Sequence, residues 1–245
     1  MNSELVAAGL GLASASGALA WAVRGRSAQV LAPSVWRGDS SRPVLALTFD
    51  DGPSESTPAL MGLLEQFNVR ATFFMVGKNV RRLKSVAREV ASAGHQIGNH
   101  TDTHPRLDFK SPWFMYDEIA RAQESIYRTT GITPQWFRPP YGVRWFGLRS
   151  VQAKLKLTSV MWTTIGNDWR WQGPRVAHLM IRRASNGAIF CLHDGRSLAE
   201  RPDIRSTLTA VENFVPKLQD QGYKFEILSE LLCARPDPKK MSFRA

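Results

Sequence analysis

The sequence predicts an α/β fold: a parallel sheet closed into a (β/α) barrel, preceded by an apolar amino-terminal helix. Three observations predict it. Short apolar runs rich in β-branched and aromatic residues alternate with helical patterns through the body of the chain, the order that strand–helix–strand units require. Five clusters of reactive side chains each fall directly after a candidate strand, as they do at the carboxyl face of a barrel. The 245 residues carry no internal repeat and no second composition regime, so the body reads as one domain.

The elements follow in order. Leu5 to Val23 carries no charge; as a helix rising 1.5 Å per residue it would be about 28 Å long, close to one bilayer core. No basic stretch precedes it, so residues 1–26 read as an uncleaved anchor rather than a secretory signal. Ala7, Gly11 and Ala15 sit four apart, a spacing that permits a homodimer through this helix. Residues 27–42 read as a linker, 43–233 as the folded body and 234–245 as a basic tail. Within the body, strands are expected at Val44–Phe49, Ala71–Val76, Val160–Thr164, Ala188–Leu192 and Phe225–Leu228. Helices are expected at Thr57–Phe67, Val80–Ala93, Trp113–Thr129, Pro174–Ala184 and Ile204–Gln219, with Gly94 and Gly222 as stops.

Composition excludes several classes. At 43% hydrophobic the chain is globular, and two cysteines, Cys191 and Cys233, are too few for a disulfide framework. The excess of 32 Lys+Arg over 21 Asp+Glu gives a net charge of +11, which attracts polyanions. The basic residues are spread over the whole chain in runs no longer than Arg81–Arg82, with no zinc-finger spacing and no RNP-like strand. Nucleic acid is therefore not the expected partner.

The reactive clusters carry the chemistry. Asp50 and Asp51 follow the first strand; His100 and His104 follow His95–Asn99; Arg138 and Tyr141 follow Trp136–Phe137. Asp168 follows Thr164, and His193 follows Leu192. Two adjacent carboxylates repel each other, and a divalent cation on one of them relieves that repulsion. Asp51, His100 and His104 offer three ligands with positions left open, as in catalytic rather than structural zinc sites. Thr101 stands where the helical zinc proteases need Glu, which excludes that class. An N-capping Asp with two surface histidines is the blander explanation, and the other clusters outweigh it.

TFDDGP at Thr48–Pro53, HTDTHP at His100–Pro105, RPPYG at Arg138–Gly142, DW at Asp168–Trp169 and LHDG at Leu192–Gly195 resemble the five ordered motifs of the polysaccharide deacetylases. That is the NodB-homology domain, carbohydrate esterase family four, and the likeness runs from about Pro43 to Leu232. The resemblance implies a distorted (β/α) barrel with fewer than eight repeats. It also implies a metal-dependent hydrolase, most simply with zinc or a similar ion such as cobalt, removing N- or O-acetyl groups from a carbohydrate. Carried over by position, Asp50 resembles the catalytic base, and Asp51, His100 and His104 the metal ligands. Arg138 resembles the tether of the base, the Tyr141 backbone an oxyanion donor, and His193 the acid oriented by Asp168. Trp169, Leu192 and Pro140 resemble substrate-binding positions. The family often has a further Asp where Ile165 stands, a departure that implies altered support or specificity rather than lost activity.

Other readings are weighed against this one. A catalytically dead sugar-binding module would need a lost ligand or base, and none is missing. A basic adaptor for membrane surfaces or nucleic acid would show salt-dependent binding without turnover. Trp145, Trp169 and Trp171 lie next to motifs and could stack on a sugar, whereas Trp136 and Trp162 read as core. His95 and His178 read as structural or surface residues, and Cys191 as a buried strand thiol. Arg24, Arg26, Arg37 and Arg42 follow the apolar stretch and nothing basic precedes it, so the positive-inside rule expects a membrane-anchored enzyme on the cytoplasmic face, acting on a lipid-linked sugar. An exported enzyme acting on wall glycan is the alternative.

Overall fold

The computed structural model describes residues 16–233. A helix over residues 16–24 (α1) leads to β1 (Ser34–Val35), β2 (Val44–Asp50), α2 (Thr57–Gln66), β3 (Thr72–Met75), α3 (Gly77–Arg82), α4 (Lys84–Ser92) and β4 (Gln96–Asn99). The chain continues through α5 (Pro112–Thr130), β5 (Trp136–Phe137), a 3₁₀ turn (Pro140–Gly142), α6 (Leu148–Leu155), β6 (Thr158–Val160) and β7 (Thr164–Ile165). It closes with α7 (Gly173–Arg183), β8 (Ala188–His193), α8 (Arg205–Asp220), β9 (Lys224–Phe225) and α9 (Leu228–Cys233).

These strands form one parallel sheet in the order β1-β6-β5-β4-β3-β2-β8-β7, with β9 beside the start of β2. All seven residues of β2 are buried, as expected where both faces of a parallel strand are covered. The period-2 alternation of β2 divides its side chains between two cores. Leu45, Leu47 and Phe49 pack outward with Phe73, Phe190 and Phe214, beneath the helices. Val44 and Ala46 join Phe74, Val160, Ile189, Leu228 and Leu231 in a second cluster. Val160 of β6 and Ile189 of β8 are far apart in strand order, so sharing a cluster requires the sheet to curl round it. The result is a half-barrel ringed by helices: a distorted (β/α) barrel, as expected.

Several boundaries differ from the sequence reading, each for a local reason. The expected helix Val80–Ala93 breaks at Leu83, whose ψ of 56° is not helical, into α3 and α4. The expected strand Val160–Thr164 is divided because it crosses the open side of the barrel: the Met161 N–H donates to Val35 O (2.7 Å) and the Thr163 N–H to Ile189 O (2.9 Å). Phe225–Leu228 is strand only to Phe225, since α9 begins at Leu228. Strand β1, inside the expected linker, and helix α6 had no clear signal.

The expected membrane anchor is corrected. Residues 5–15 of that stretch lie outside the described residues, and among the described residues no helix is long and apolar enough to cross a membrane. The nine described helical residues of α1 rise about 14 Å, roughly half a bilayer core. The end of α1 is committed to the domain instead: Ala22 and Val23 pack with Leu31 and Val143, and Val23 O accepts the Arg144 N–H at 3.0 Å. Fully buried Arg144 fastens the following segment through Ala28 O (2.6 Å), Ser34 Oγ (2.9 Å) and Gly25 O. The cytoplasmic-face localisation rested on that anchor and falls with it.

Candidate active site

Strand register brings the clusters together. Asp50 pairs across the sheet with His193, and Asn99 with Phe137, so Asp51, His100 and Arg138 all leave the sheet at one carboxyl edge. Six non-glycine residues there adopt left-handed backbone conformations: Asp51 (φ 74°), Thr101 (φ 67°), His104 (φ 60°), Tyr141 (φ 58°), Asn167 (φ 53°) and Ser197 (φ 50°). Such conformations persist only where the surroundings hold them. The Asn99 carboxamide accepts the Thr101 N–H (2.9 Å), Thr101 Oγ1 accepts the His104 N–H (3.1 Å), and the Glu118 carboxylate accepts the N–H groups of Asp102 (3.1 Å) and Thr103 (2.8 Å). Gly195 completes the enclosure, because a Cβ there would collide with the Asp51 backbone.

Asp51, His100 and His104 are buried and present three ligand atoms within 4.8 Å of one another. Asp51 Oδ1 lies 3.0 Å from His104 Nε2 and 3.4 Å from His100 Nε2. A tetrahedron with bonds of about 2.0–2.1 Å has edges of roughly 3.3–3.4 Å, so the triad fits an ion such as zinc. His100 Nδ1 is 2.7 Å from the Arg138 carbonyl, which can only accept; Nδ1 therefore carries a proton, and Nε2 is the nitrogen turned toward Asp51 and His104. The other Asp51 oxygen accepts the Ser197 N–H (2.9 Å), and Ser197 Oγ meets His104 Nδ1 at 2.9 Å. Burial disfavours the Asp51 carboxylate, but the two imidazoles bonded to it override that and hold its pKa well below the usual range.

Asp50 and His193 flank this triad. Arg138, completely buried, donates through Nη1 to Asp50 Oδ1 (2.7 Å) and Thr48 Oγ1 (2.7 Å), through Nε to Val160 O (2.9 Å) and through Nη2 to Met161 O (3.1 Å). The other Asp50 oxygen accepts from the Cys191 thiol at 3.4 Å and lies 4.0 Å from His100 Nε2. Burial, followed by the Asp50 charge, pushes the Cys191 pKa well up, so the thiol keeps its proton and is no nucleophile. His193 Nδ1 lies 2.9 Å from Asp168 Oδ1, and the second Asp168 oxygen accepts from the His193 N–H (2.9 Å) and Thr207 Oγ1 (2.5 Å). Burial disfavours the imidazolium, yet the Asp168 carboxylate more than compensates and raises the His193 pKa to about 9.

Removing Arg138 would strand a buried carboxylate and three further acceptors. Arg138→Met should therefore destabilise the fold by on the order of 3–5 kcal/mol, read as a lower urea midpoint. An unchanged midpoint would show that the network carries no stability.

Asp50, Asp51, His100, His104 and His193 open onto one cleft of about 510 Å³, whose walls include Tyr141, Trp162, Ile165, Trp169 and Arg196. Arg138 and Asp168 stand one layer behind it. Leu192 and Pro140 are buried and do not line it; strand alternation turns Leu192 into the outer core while His193 faces the cleft. Of the three tryptophans read as possible stacking groups, Trp169 lines the cleft, edge-on to the His193 ring at 4.9 Å; Trp162, read as core, lines it too. Ser197 and Thr207 were not anticipated. Ser197 follows His193 by four positions, a weak signal, whereas Thr207 lies on α8 with none.

The model of the polysaccharide deacetylase family matches residues 37–160, and the chain belongs to that family. It is 32% identical over 204 residues to the peptidoglycan-N-acetylglucosamine deacetylase PgdA of Listeria monocytogenes, covering 82% of this chain and 41% of that protein. It thus spans less than half the length of that relative. It is 33% identical over 194 residues to a chitooligosaccharide deacetylase of Bradyrhizobium, covering 76% and 89% of the two chains. Among solved structures, a carbohydrate esterase family 4 pseudoenzyme from Bacillus anthracis is 27% identical and superposes with a TM-score of 0.74, covering 82% and 69%.

Proposed function

We propose that the protein is a metal-dependent carbohydrate deacetylase, hydrolysing the N-acetyl group of N-acetylglucosamine units in a glycan. The observation that carries this reading is the geometry of one cleft: three buried metal ligands flanked by a tethered carboxylate and by an imidazole whose pKa is raised to about 9. The Listeria relative is named for peptidoglycan N-acetylglucosamine and the Bradyrhizobium relative for chitooligosaccharide, and both names support a glycan substrate. The pseudoenzyme neighbour makes an inactive sugar binder the alternative, but here the Asp-His-His group, the base and the acid are all present.

Asp51, His100 and His104 would hold the ion, zinc suiting two imidazoles and one carboxylate. Such an ion supplies Lewis acidity at the acyl oxygen and lowers the pKa of water. The chain's own residues do the rest. Asp50, held by Arg138 on one oxygen, uses the other to take a proton from water as its oxygen bonds to the acetyl carbon. The carbonyl π electrons move onto oxygen, where the Tyr141 backbone N–H would stabilise the charge. When the carbon–nitrogen bond breaks, protonated His193 gives its proton to the departing nitrogen. Acetate and a free amino sugar result. Trp169, Trp162 and Ile165 provide apolar walls for the acetyl methyl and the sugar face.

The test is acetate release, measured on chitin oligomers, peptidoglycan fragments and acetylated xylan. Release from the N-acetylglucosamine substrates is expected. Sugar binding without any acetate would establish the pseudoenzyme reading instead.

A further inference from the structure

Outside the catalytic cleft, α3, α4 and α5 enclose a second cleft of about 430 Å³ that shares no residue with the first. Its walls carry Arg81, Lys84, Arg88, Arg121 and Arg128 against a single carboxylate, Glu124. Three of these five cations are paired, Arg121 with Asp102 (3.6 Å) as well as Asp117, and two, Lys84 and Arg88, have no carboxylate partner among the described residues. Arg81 is bidentate on buried Asp102 (2.5 and 3.0 Å), Arg121 reaches Asp117 (3.3 Å), and Arg128 reaches Glu124 (2.6 Å). Arg88 donates only to the Thr129 carbonyl (3.1 Å), and Lys84 is exposed. Like charges facing each other across a cleft repel, and an anion between them removes that cost. Guanidinium groups suit phosphate oxygens because their planar fork donates in pairs. Arg121 and Arg128 are seven positions apart on one helix, about 10.5 Å, too long a span for a single small anion.

We propose that this cleft binds a linear anion carrying at least two phosphate groups in a row, a function separate from deacetylation. The probe is inorganic tripolyphosphate, titrated calorimetrically into the whole chain at physiological ionic strength. One site is expected, with orthophosphate binding at least about tenfold more weakly. Lys84→Glu with Arg88→Glu should weaken tripolyphosphate by at least about tenfold. Arg182→Glu with Arg183→Glu, at the far end of α7, changes the net charge equally and should leave binding intact. Equal weakening in both pairs would reduce the effect to the general +11 field. No weakening in either would place the ligand elsewhere, the Asp51–His100–His104 group included. Either result, or no binding at all, overturns the proposal. The neutral pair Lys84→Gln with Arg88→Gln, intermediate in affinity if the cleft is the site, serves should the charge-reversed pair not fold.

Discussion

Stripping the protein of divalent ions should lower acetate release by on the order of 10²-fold or more, with zinc or cobalt restoring it. The expectation follows from Asp51, His100 and His104, whose ligand atoms already lie at coordination-edge distances, 3.0 and 3.4 Å from the shared Asp51 oxygen. His104→Ala removes one of three ligands and should abolish stoichiometric zinc at concentrations that saturate the parent protein. A second readout needs no turnover: zinc should raise the Tm of the parent, since an ion bound to the folded state alone stabilises it by mass action. In His104→Ala that rise should largely disappear. Full activity in verified metal-free protein would refute the mechanism.

Nearly as large an effect is expected at the acid. His193→Ala should lower kcat by on the order of 10²-fold or more while zinc stays bound, because an amine leaves poorly without a proton. Its pH dependence has a definite sign. With a pKa raised to about 9, His193 is protonated at neutrality and loses its proton as pH rises, so activity falls on the basic side at or below about pH 9. Charge on a bound dication can only move that limb downward. Asp168→Asn removes the carboxylate that sustains the imidazolium and should draw the limb toward the ordinary histidine value of about 6.5. A basic limb that stayed in place in both variants would assign the acid to another group. At the opposite side of the cleft, Asp50→Asn should lower kcat comparably while zinc stays bound.

Fold class and the gathering of the reactive side chains were both legible in the order of residues along the chain. Alternating strand and helix patterns demand a parallel sheet, and parallel strands all end on one face. Residues placed directly after strand ends, Asp50, Asp51, His100, Arg138 and His193, therefore had to gather there. That inference is local: it needs the chain order and the two-residue period, and both are written in the sequence.

Tertiary structure decided what depends on partners distant along the chain. The register Asp50–His193 sets that imidazole beside that carboxylate, and the closing of the sheet splits Val160–Thr164 between two ladders. Thr207, 39 residues beyond Asp168, holds that carboxylate from another helix, and the thiol of Cys191 meets Asp50 across 141 positions. Strand alternation would have sent Leu192 away from His193, but which face met the cleft depended on the curl of the sheet. The amino end shows the same limit from the other side. Absence of charge from Leu5 to Val23 matched a membrane span, yet Ala22 and Val23 found an apolar partner in Val143, 120 residues away, and buried Arg144 secured the turn that follows. Apolar surface is removed from water equally well by lipid or by protein, and only the assembled fold shows where a suitable protein surface lies.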